Sequence, residues 1–541
     1  MKRAIESLFP ESAINIIKLL YLLFSISNLK RNSVFAILTF LTSCNTSIPN
    51  EVKSVLKFAG NNSKELNKVI DHFRNDEDKR KLEAAFFLIA NLKDQCHWEG
   101  EEKENYAKNF KEMDSIVQLG NGLLNHQWDS IQRLNGHTNL QNLKIIADVH
   151  VIKSEFLIKH INAAFKAWSY PWAKNLGFKQ FCEFILPYKL KNEHPEEWMT
   201  NIQKEYSWLL DSMSGSNDPK KACILLNKNL ESKFYINARF ECPWDMSYSE
   251  LVKTHMGKCS HATQFAEYVM RAMGIPVVMD YTPHWANKNF SHQWNGLIYK
   301  NQTIPFIGTE SDPGKSKIMF TRTDWIRRKR GKIFRITYNI QEKSLLALSD
   351  NAENLPIELA STHIRDVTAD YAPVSDIKIK LNDIIKNKKL AFICVFNDQK
   401  WQPVFWGIIG SFNNITFKSM ERDVMYLPTY YESGGYIPAG QPVLLTKEGT
   451  SVEIIPDCNK TTDIVVRKKY PEDVSNNIRK GEAYELFYWR DEWLSLGIVK
   501  ASSDSLIYNN VPEHALFLIK DINKDGQERI FTYSDDKQIW W

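Results

Sequence analysis

The sequence predicts a multidomain α+β protein with a helical amino-terminal region, a mixed α+β centre and antiparallel β modules toward the carboxyl end. Three observations carry this prediction. At 541 residues the chain is too long for one hydrophobic core and calls for several domains. From about 51 to 228, apolar residues recur at three- and four-residue spacing with few paired glycines or prolines, the pattern of helices. After Ser361 the pattern changes to short apolar runs separated by Gly, Asn, Pro or Asp, the pattern of strands. With 43% hydrophobic and 25% charged residues, the composition excludes a disordered or collagen-like chain.

At the amino end, Lys30-Arg31 precede the apolar run Val34 to Leu41, which closes on Leu41-Thr42-Ser43-Cys44. This pattern resembles the lipobox of bacterial lipoproteins, in which small residues let a signal peptidase approach and the Cys44 thiol carries the lipid. Residues 1–44 are therefore expected to be a lipoprotein signal segment. An earlier apolar stretch, Ile14 to Ile26, is unusual beside a single signal peptide. The expected location is extracytoplasmic, in the periplasm or on the outer membrane or surface of a bacterium. Contact with the membrane is expected through the lipid anchor only.

Residues 51–228 are expected to form a helical domain. Leu82 to Ala90 reads as a largely buried helix, and Asp148 to Trp168 as another. The stripe of Phe165, Trp168, Trp172, Phe178 and Phe181 reads as helix packing. A turn-rich stretch, Ser214 to Pro219, then leads into a central core over 229–345. Beyond it, Leu390 to Phe396, Val404 to Ile409, Pro442 to Leu445 and Val452 to Ile455 predict a β-sandwich over 362–475. Glu485 to Trp489, Trp493 to Gly497 and Ala515 to Ile519 predict a small β module over 476–541. Asp521-Ile522-Asn523-Lys524-Asp525-Gly526 matches the opening of a calcium loop, but Thr532 stands where the twelfth residue should be Glu. With strand-like sequence on both sides, Asp525-Gly526 reads as a hairpin turn.

Net charge is only +5, and basic runs such as Arg327-Arg328-Lys329-Arg330 are short, so a nucleic-acid partner is not expected. Of the eight cysteines, Cys44 and Cys259 have chemical readings; the other six show no CxxC pair or regular spacing, which argues against a disulfide framework. Cys394, inside an apolar run, reads as a buried small hydrophobe.

The chemistry concentrates in the centre. Cys259 opens a helix whose apolar positions Ala262, Phe265, Ala266, Val269 and Met273 follow helical spacing. Gly274 suits the left-handed residue after the last turn, and Pro276 prevents continuation. A sulfur in the first helical turn sits near unpaired amides and the positive end of the dipole, which favours thiolate. The same amides can stabilise an oxyanion. Gly257 is expected to let a substrate backbone approach the sulfur. His292, 33 residues after Cys259, begins a strand in Ser291-His292-Gln293-Trp294-Asn295-Gly296-Leu297-Ile298 and is placed to serve as base. Glu310 and Asp312, just beyond the next strand, are candidates to orient its imidazole, and Asn295 is a third. Trp285, in the loop between the two strands, is expected either to wall the substrate cleft together with Trp294 or to pack.

Gly257-x-Cys259, Arg271-Ala272-x-Gly274-Ile275-Pro276 and His292-x-Trp294 together resemble the transglutaminase-like superfamily, over about 60 residues. The resemblance implies a papain-like α+β core, a Cys-His-Asp triad, acyl-thioenzyme chemistry, and neither metal nor other cofactor. This chain departs from the pattern at the third member: Gly308 stands where the family has its acid, with Glu310 and Asp312 beyond. His255, His261 and His284 near Cys259 could suggest a metal site, but Gly257 interrupts the helix face that a metal would need. The implied function is an extracytoplasmic cysteine amidase or peptidase acting on a peptide, protein or glycopeptide amide. The alternatives are a non-catalytic surface lipoprotein binding glycan or protein, and a protein-crosslinking acyltransferase.

Overall fold

A computed structural model describes residues 47–117, 124–135, 143–237, 240–315, 328–349, 355–382, 388–471, 476–524 and 528–541. The signal segment with Cys44, the residue Arg327 and the Asp525-Gly526 turn lie outside the described residues. Among the described residues, no helix is long and apolar enough to cross a membrane.

The amino-terminal part comprises α1 (Asn50–Phe58), α2 (Ser63–Arg74), α3 (Lys79–Ala90), α4 (Glu101–Val117), α5 (Leu124–Asn135), α6 (Ser154–Trp168), α7 (Phe178–Phe184), α8 (Trp198–Glu205) and α9 (Pro219–Leu230). Local chemistry sets several of the starts. Asp78 accepts the Arg80 amide ahead of α3, and Asp218 accepts the Lys220 amide ahead of α9, whose first residue is Pro219. Helix α2 buries Leu66, Val69, Ile70 and Phe73, a stripe of helical spacing. The aromatic stripe packs as the sequence suggests: the rings of Trp168 and Phe181 stack 4.4 Å apart, and Phe165 meets Phe181 edge-on at 4.9 Å. Helical periodicity did not reveal the antiparallel pair β1 (Cys96–Glu99) and β2 (Lys144–Ala147), because each strand has only four residues.

The centre contains β3 (Tyr235–Ile236), α10 (Tyr248–Thr254), β4 (Met256–Gly257), α11 (Cys259–Ala272), β5 (Val277–Thr282), β6 (His292–Tyr299), β7 (Gln302–Phe306), β8 (Phe334–Ile336) and β9 (Ile364–Asp366). Strands β7-β6-β5-β8-β9 form an antiparallel sheet in that order. Helix α11 lies against β5 and β6. One hydrophobic cluster runs from Val52 in α1 through α11 to Leu297 and Phe306, so the helical part and the centre share a core. Each large apolar side chain fully buried there contributes about 1.5–3 kcal/mol.

Helix α11 is enclosed on every side rather than on the one apolar face its spacing suggests, with every residue from 262 to 272 buried. Its polar side chains are therefore paired internally. Thr263 Oγ1 donates to Cys259 O at 2.7 Å, and Gln264 Nε2 to Met246 O at 2.8 Å. Arg271 binds Glu267 and reaches the carbonyls of Pro187 and Lys189. The carboxyl end is capped twice over. Gly274, at φ +71°, and Ile275 return their amides to Arg271 O and Met270 O. Trp172 Nε1 donates to Met273 O at 2.6 Å, and Gln203 Nε2 to Ala272 O at 3.2 Å.

Two β modules follow. Strands β10 (Val374–Lys380) and β13 (Asn414–Glu421) pair. Strands β11 (Leu390–Asn397), β12 (Lys400–Ile408), β14 (Val424–Glu432), β15 (Gly435–Pro438), β16 (Val443–Leu445) and β17 (Ser451–Glu453) form an antiparallel sheet. Between them lies a core of Ile377, Ile393, Val395, Val404, Phe417 and Tyr426. In the last module, β18 (Asp457–Val466) pairs with β21 (Leu506–Glu513). Alongside runs the sheet β20 (Glu492–Lys500), β19 (Ala483–Arg490), β22 (Phe517–Asp521), β23 (Ile530–Ser534) and β24 (Lys537–Trp540). Strand β18, which the sequence grouped with the preceding module, belongs here because Ile464 and Val466 enter the core of Tyr484, Leu486 and Phe517. Strands β22 and β23 flank the Asp525-Gly526 position and pair antiparallel.

A Cβ on Gly274 would lie 2.2 Å from Ala167 O, in a backbone conformation that side chains disfavour. Gly274→Ala is expected to cost about 1–3 kcal/mol in denaturant unfolding. Gly435→Ala, whose nearest neighbour would be 3.7 Å away, should stay within about 0.5 kcal/mol of wild type.

Candidate active site

Helix α11 begins at Cys259 because Lys258 is extended, at φ −67° and ψ 173°, and the chain turns helical at the next residue. The Nδ1 atom of His261 folds back to accept the Lys258 amide at 3.0 Å. That fold-back needs Gly257, since a Cβ there would lie 2.4 Å from His261 Cβ. Gly257 is buried, and its carbonyl accepts the Asn237 amide at 2.8 Å. Its lack of a side chain thus makes room for a capping imidazole, which corrects the expectation that it opens a path for substrate. Burial pushes His261 down to about 3, with the Lys191 charge acting the same way, so the ring is neutral and suited to accepting this bond.

Cys259 and His292 line one cavity of about 390 Å³. Cys259 is half-buried, at the first residue of α11, and His292 is the first residue of β6. Ser260, Thr282 and Gln293 line the cavity beside them. Lys189, Asn192, Asp245, Tyr338 and His363 also line it, contributed by the helical part, the stretch before α10 and the chain around β8 and β9. The amides of Cys259 and Ser260 belong to the first turn and have no intrahelical acceptor, so they are available to a substrate oxygen.

The imidazole of His292 stacks against Trp285 at 5.9 Å and against Trp294 at 6.1 Å between ring centroids. Both tryptophans are buried, and they form a small cluster with Ile307, Ile333 and Val367. Trp294 is entirely enclosed, so it holds the imidazole rather than offering a surface to substrate. Burial pushes His292 down to about 4, with the Lys288 charge acting in the same direction. The ring is therefore uncharged at physiological pH.

The three candidates for the orienting role lie elsewhere. Asn295 faces α11, where its Nδ2 donates to Thr263 O at 3.0 Å and its Oδ1 accepts the Gly308 amide at 3.1 Å. Glu310 is exposed, and Asp312 is buried with Lys315 Nζ at 3.3 Å; neither lines the cavity. Position 308 has no room for an acid, because a Cβ there would lie 2.3 Å from Ala266 Cβ. The other nearby histidines are occupied or apart: His255 Nε2 lies 3.0 Å from Asp114, and His284 is buried away from the cavity lining.

Residues that the sequence did not single out hold the loop between β5 and β6. Asn397 Nδ2 lies 2.9, 2.8 and 3.1 Å from the carbonyl oxygens of Trp285, Lys288 and Phe290, and its Oδ1 accepts the Phe290 amide. The buried guanidinium of Arg529 donates to Ala286 O and Phe396 O. Glu421 accepts the amides of Arg330 and Gly331 and the Arg330 guanidinium. Both β modules thus grip the segments that carry Trp285 and lead into His292. No local sequence signal marks these contacts, which span 90 to 243 residues.

Burial depresses His160, His284 and His292 to about 4 and His261 to about 3. The unfolded chain takes up these protons first, near pH 6.5, so stability is intact above that value and falls as pH drops toward 4. Each histidine adds a slope of about 1.4 kcal/mol per pH unit in that window. Chemical denaturation between pH 7 and pH 4 should show a loss steeper than one such group gives, and a flat profile would contradict this burial.

No family model matches this chain, and no curated protein shows significant similarity to it.

Proposed function

We propose that the protein is a cysteine hydrolase of amide bonds, built on a transglutaminase-like core and followed by β-sandwich modules. The observation that carries this reading is the shared cavity: a cysteine at a helix amino terminus and a histidine at a strand start face the same space. In the proposed reaction, His292 takes the thiol proton as Sγ of Cys259 bonds to the amide carbon. The carbonyl oxygen gains the negative charge, and the amides of the first turn of α11 stabilise it. The C–N bond then breaks, His292 returns the proton to the departing nitrogen, and a thioester remains. Water, deprotonated by the same imidazole, attacks the thioester and releases the acid, and the proton returns to the sulfur.

Hydrolysis is favoured over transfer because Cys259 is only half-buried, so a thioester formed on it meets water. The substrate class is a peptide or glycopeptide amide. The proposed location is extracytoplasmic, with Cys44 as the lipid-bearing residue and the first 44 residues as a signal segment.

Turnover of a peptide and glycopeptide amide library by wild type should disappear in Cys259→Ala and fall about 10²–10⁴-fold in His292→Ala. Mass-spectrometric mapping of iodoacetamide labelling provides a second readout, with the exposed Cys458 as internal reference. Cys259 should be alkylated faster than Cys458, and His292→Ala, which removes the group proposed to take the thiol proton during attack, should reduce that advantage. Wild type that cleaves none of the library, with Cys259 alkylated no faster than Cys458, would sink the enzyme reading.

A further inference from the structure

We infer a binding site for one divalent transition-metal ion of the zinc class, formed by His97, Glu99 and His194 on the amino-terminal part and separate from the cysteine cavity. His97 and Glu99 alternate along β1 and so share a face, and His194 comes from the segment after α7. Their ligand atoms all lie within 4.8 Å of one another. His97 Nε2 is 3.0 Å from Glu99 Oε1, and His194 Nε2 is 3.5 Å from the same oxygen. Nitrogen and oxygen ligands bound to zinc at about 2.0–2.2 Å in tetrahedral geometry stand about 3.3–3.5 Å apart, so these separations need little adjustment.

The independent observation is what stands behind His97. Asp148 is fully buried, and its Oδ1 lies 2.6 Å from His97 Nδ1. Its Oδ2 accepts from Tyr188 Oη at 2.6 Å and from Lys189 Nζ at 2.9 Å. A carboxylate held this way only accepts, so His97 Nδ1 carries the hydrogen and the Nε2 lone pair points at Glu99. Two lone pairs at 3.0 Å require a cation between them, either a proton or a metal. A third ligand atom points at the same place: His194 Nε2 is 3.5 Å from that oxygen, its ring 4.7 Å from that of His97, which is the convergence of three donors that a metal uses and a single shared proton does not need. A buried carboxylate fixing the far nitrogen of a histidine is also the usual outer shell of a zinc ligand.

Glu99 and His194 are about half exposed, which gives the ion a route in and leaves a coordination position open to water. A bound ion would tie β1 to the segment just after Leu190, Lys191 and Asn192, which line the cavity wall.

The test uses the full chain, stripped with chelator and with its thiols blocked by N-ethylmaleimide so that sulfur cannot bind metal. Equilibrium dialysis against Zn²⁺ should load about one ion per chain, and His194→Ala and Glu99→Gln should each weaken binding about tenfold or more. Both substitutions are at half-exposed positions, and their circular dichroism without metal should match wild type. Co²⁺ loaded in place of zinc should give visible bands without thiolate charge transfer. The inference is overturned if wild type takes up no stoichiometric zinc, or if both variants bind it as wild type does.

Discussion

The enclosure of α11 is the constraint on which the rest of the structure depends. A helix at the surface leaves polar side chains and terminal carbonyls to water, but α11 has no water along most of its length. Most of the polar groups it carries are met by a neighbour, Glu267 Oε2 and Arg271 Nε being exceptions, and each neighbour fixes the place of another part of the chain. Gln264 holds the segment before α10, Arg271 holds the strap of Pro187 to Lys189, and Trp172 and Gln203 bring in the helices of the amino-terminal part. Glu267, 3% exposed beside Arg271, is pushed up to about 7 by this burial. Leaving one such group unpaired costs about 1–3 kcal/mol, so the helix and its surroundings fold as a unit. Only the first turn, with Cys259 and Ser260, opens to the cavity.

His292 depends on the opposite end of the chain. Its ring rests on Trp285 and Trp294, and the loop carrying Trp285 is gripped by Asn397 of the first β module and Arg529 of the second. The carboxyl-terminal sheets are therefore structural parts of the site. Cys259 is set by the amino-terminal core and His292 by the β modules, and the cavity lies where these two supports meet.

How much of this was legible follows from the range of each interaction. Residues that act through local backbone geometry could be read directly: Cys259 at the helix start, Gly274 in the left-handed turn, and the strands beginning at Val277 and His292. The strand runs from Leu390 onward were equally plain, because alternation and turn residues sit within a few positions of one another. What the sequence hid was pairing across distance. Gly257 and His261 look like two separate candidates for chemistry, yet the missing Cβ of one makes room for the ring of the other. Asn295, Glu310 and Asp312 lie near His292 in sequence, but strand alternation turns Asn295 onto α11 and the chain beyond Gly308 carries the two acids away from the cavity. Asp148, 51 residues from His97, shows no local pattern at all.

The support given to His292 bears on what kind of base it can be. An acid beside an imidazole stabilises its charged form and raises its proton affinity, whereas stacked aromatic rings exclude water and lower it. With Trp285 and Trp294 as its neighbours and Lys288 nearby, His292 loses basicity and stays uncharged well below neutral pH. A resting thiolate–imidazolium pair requires the opposite balance. In the reaction proposed above, this arrangement suits proton transfer during attack, when the developing charge on the substrate oxygen would meet the first-turn amides of α11. No acid takes up this role from position 308, where an added Cβ would run into Ala266 Cβ at 2.3 Å and Asn295 Oδ1 at 2.7 Å, so the chain just after β7 passes close against α11 with glycine alone.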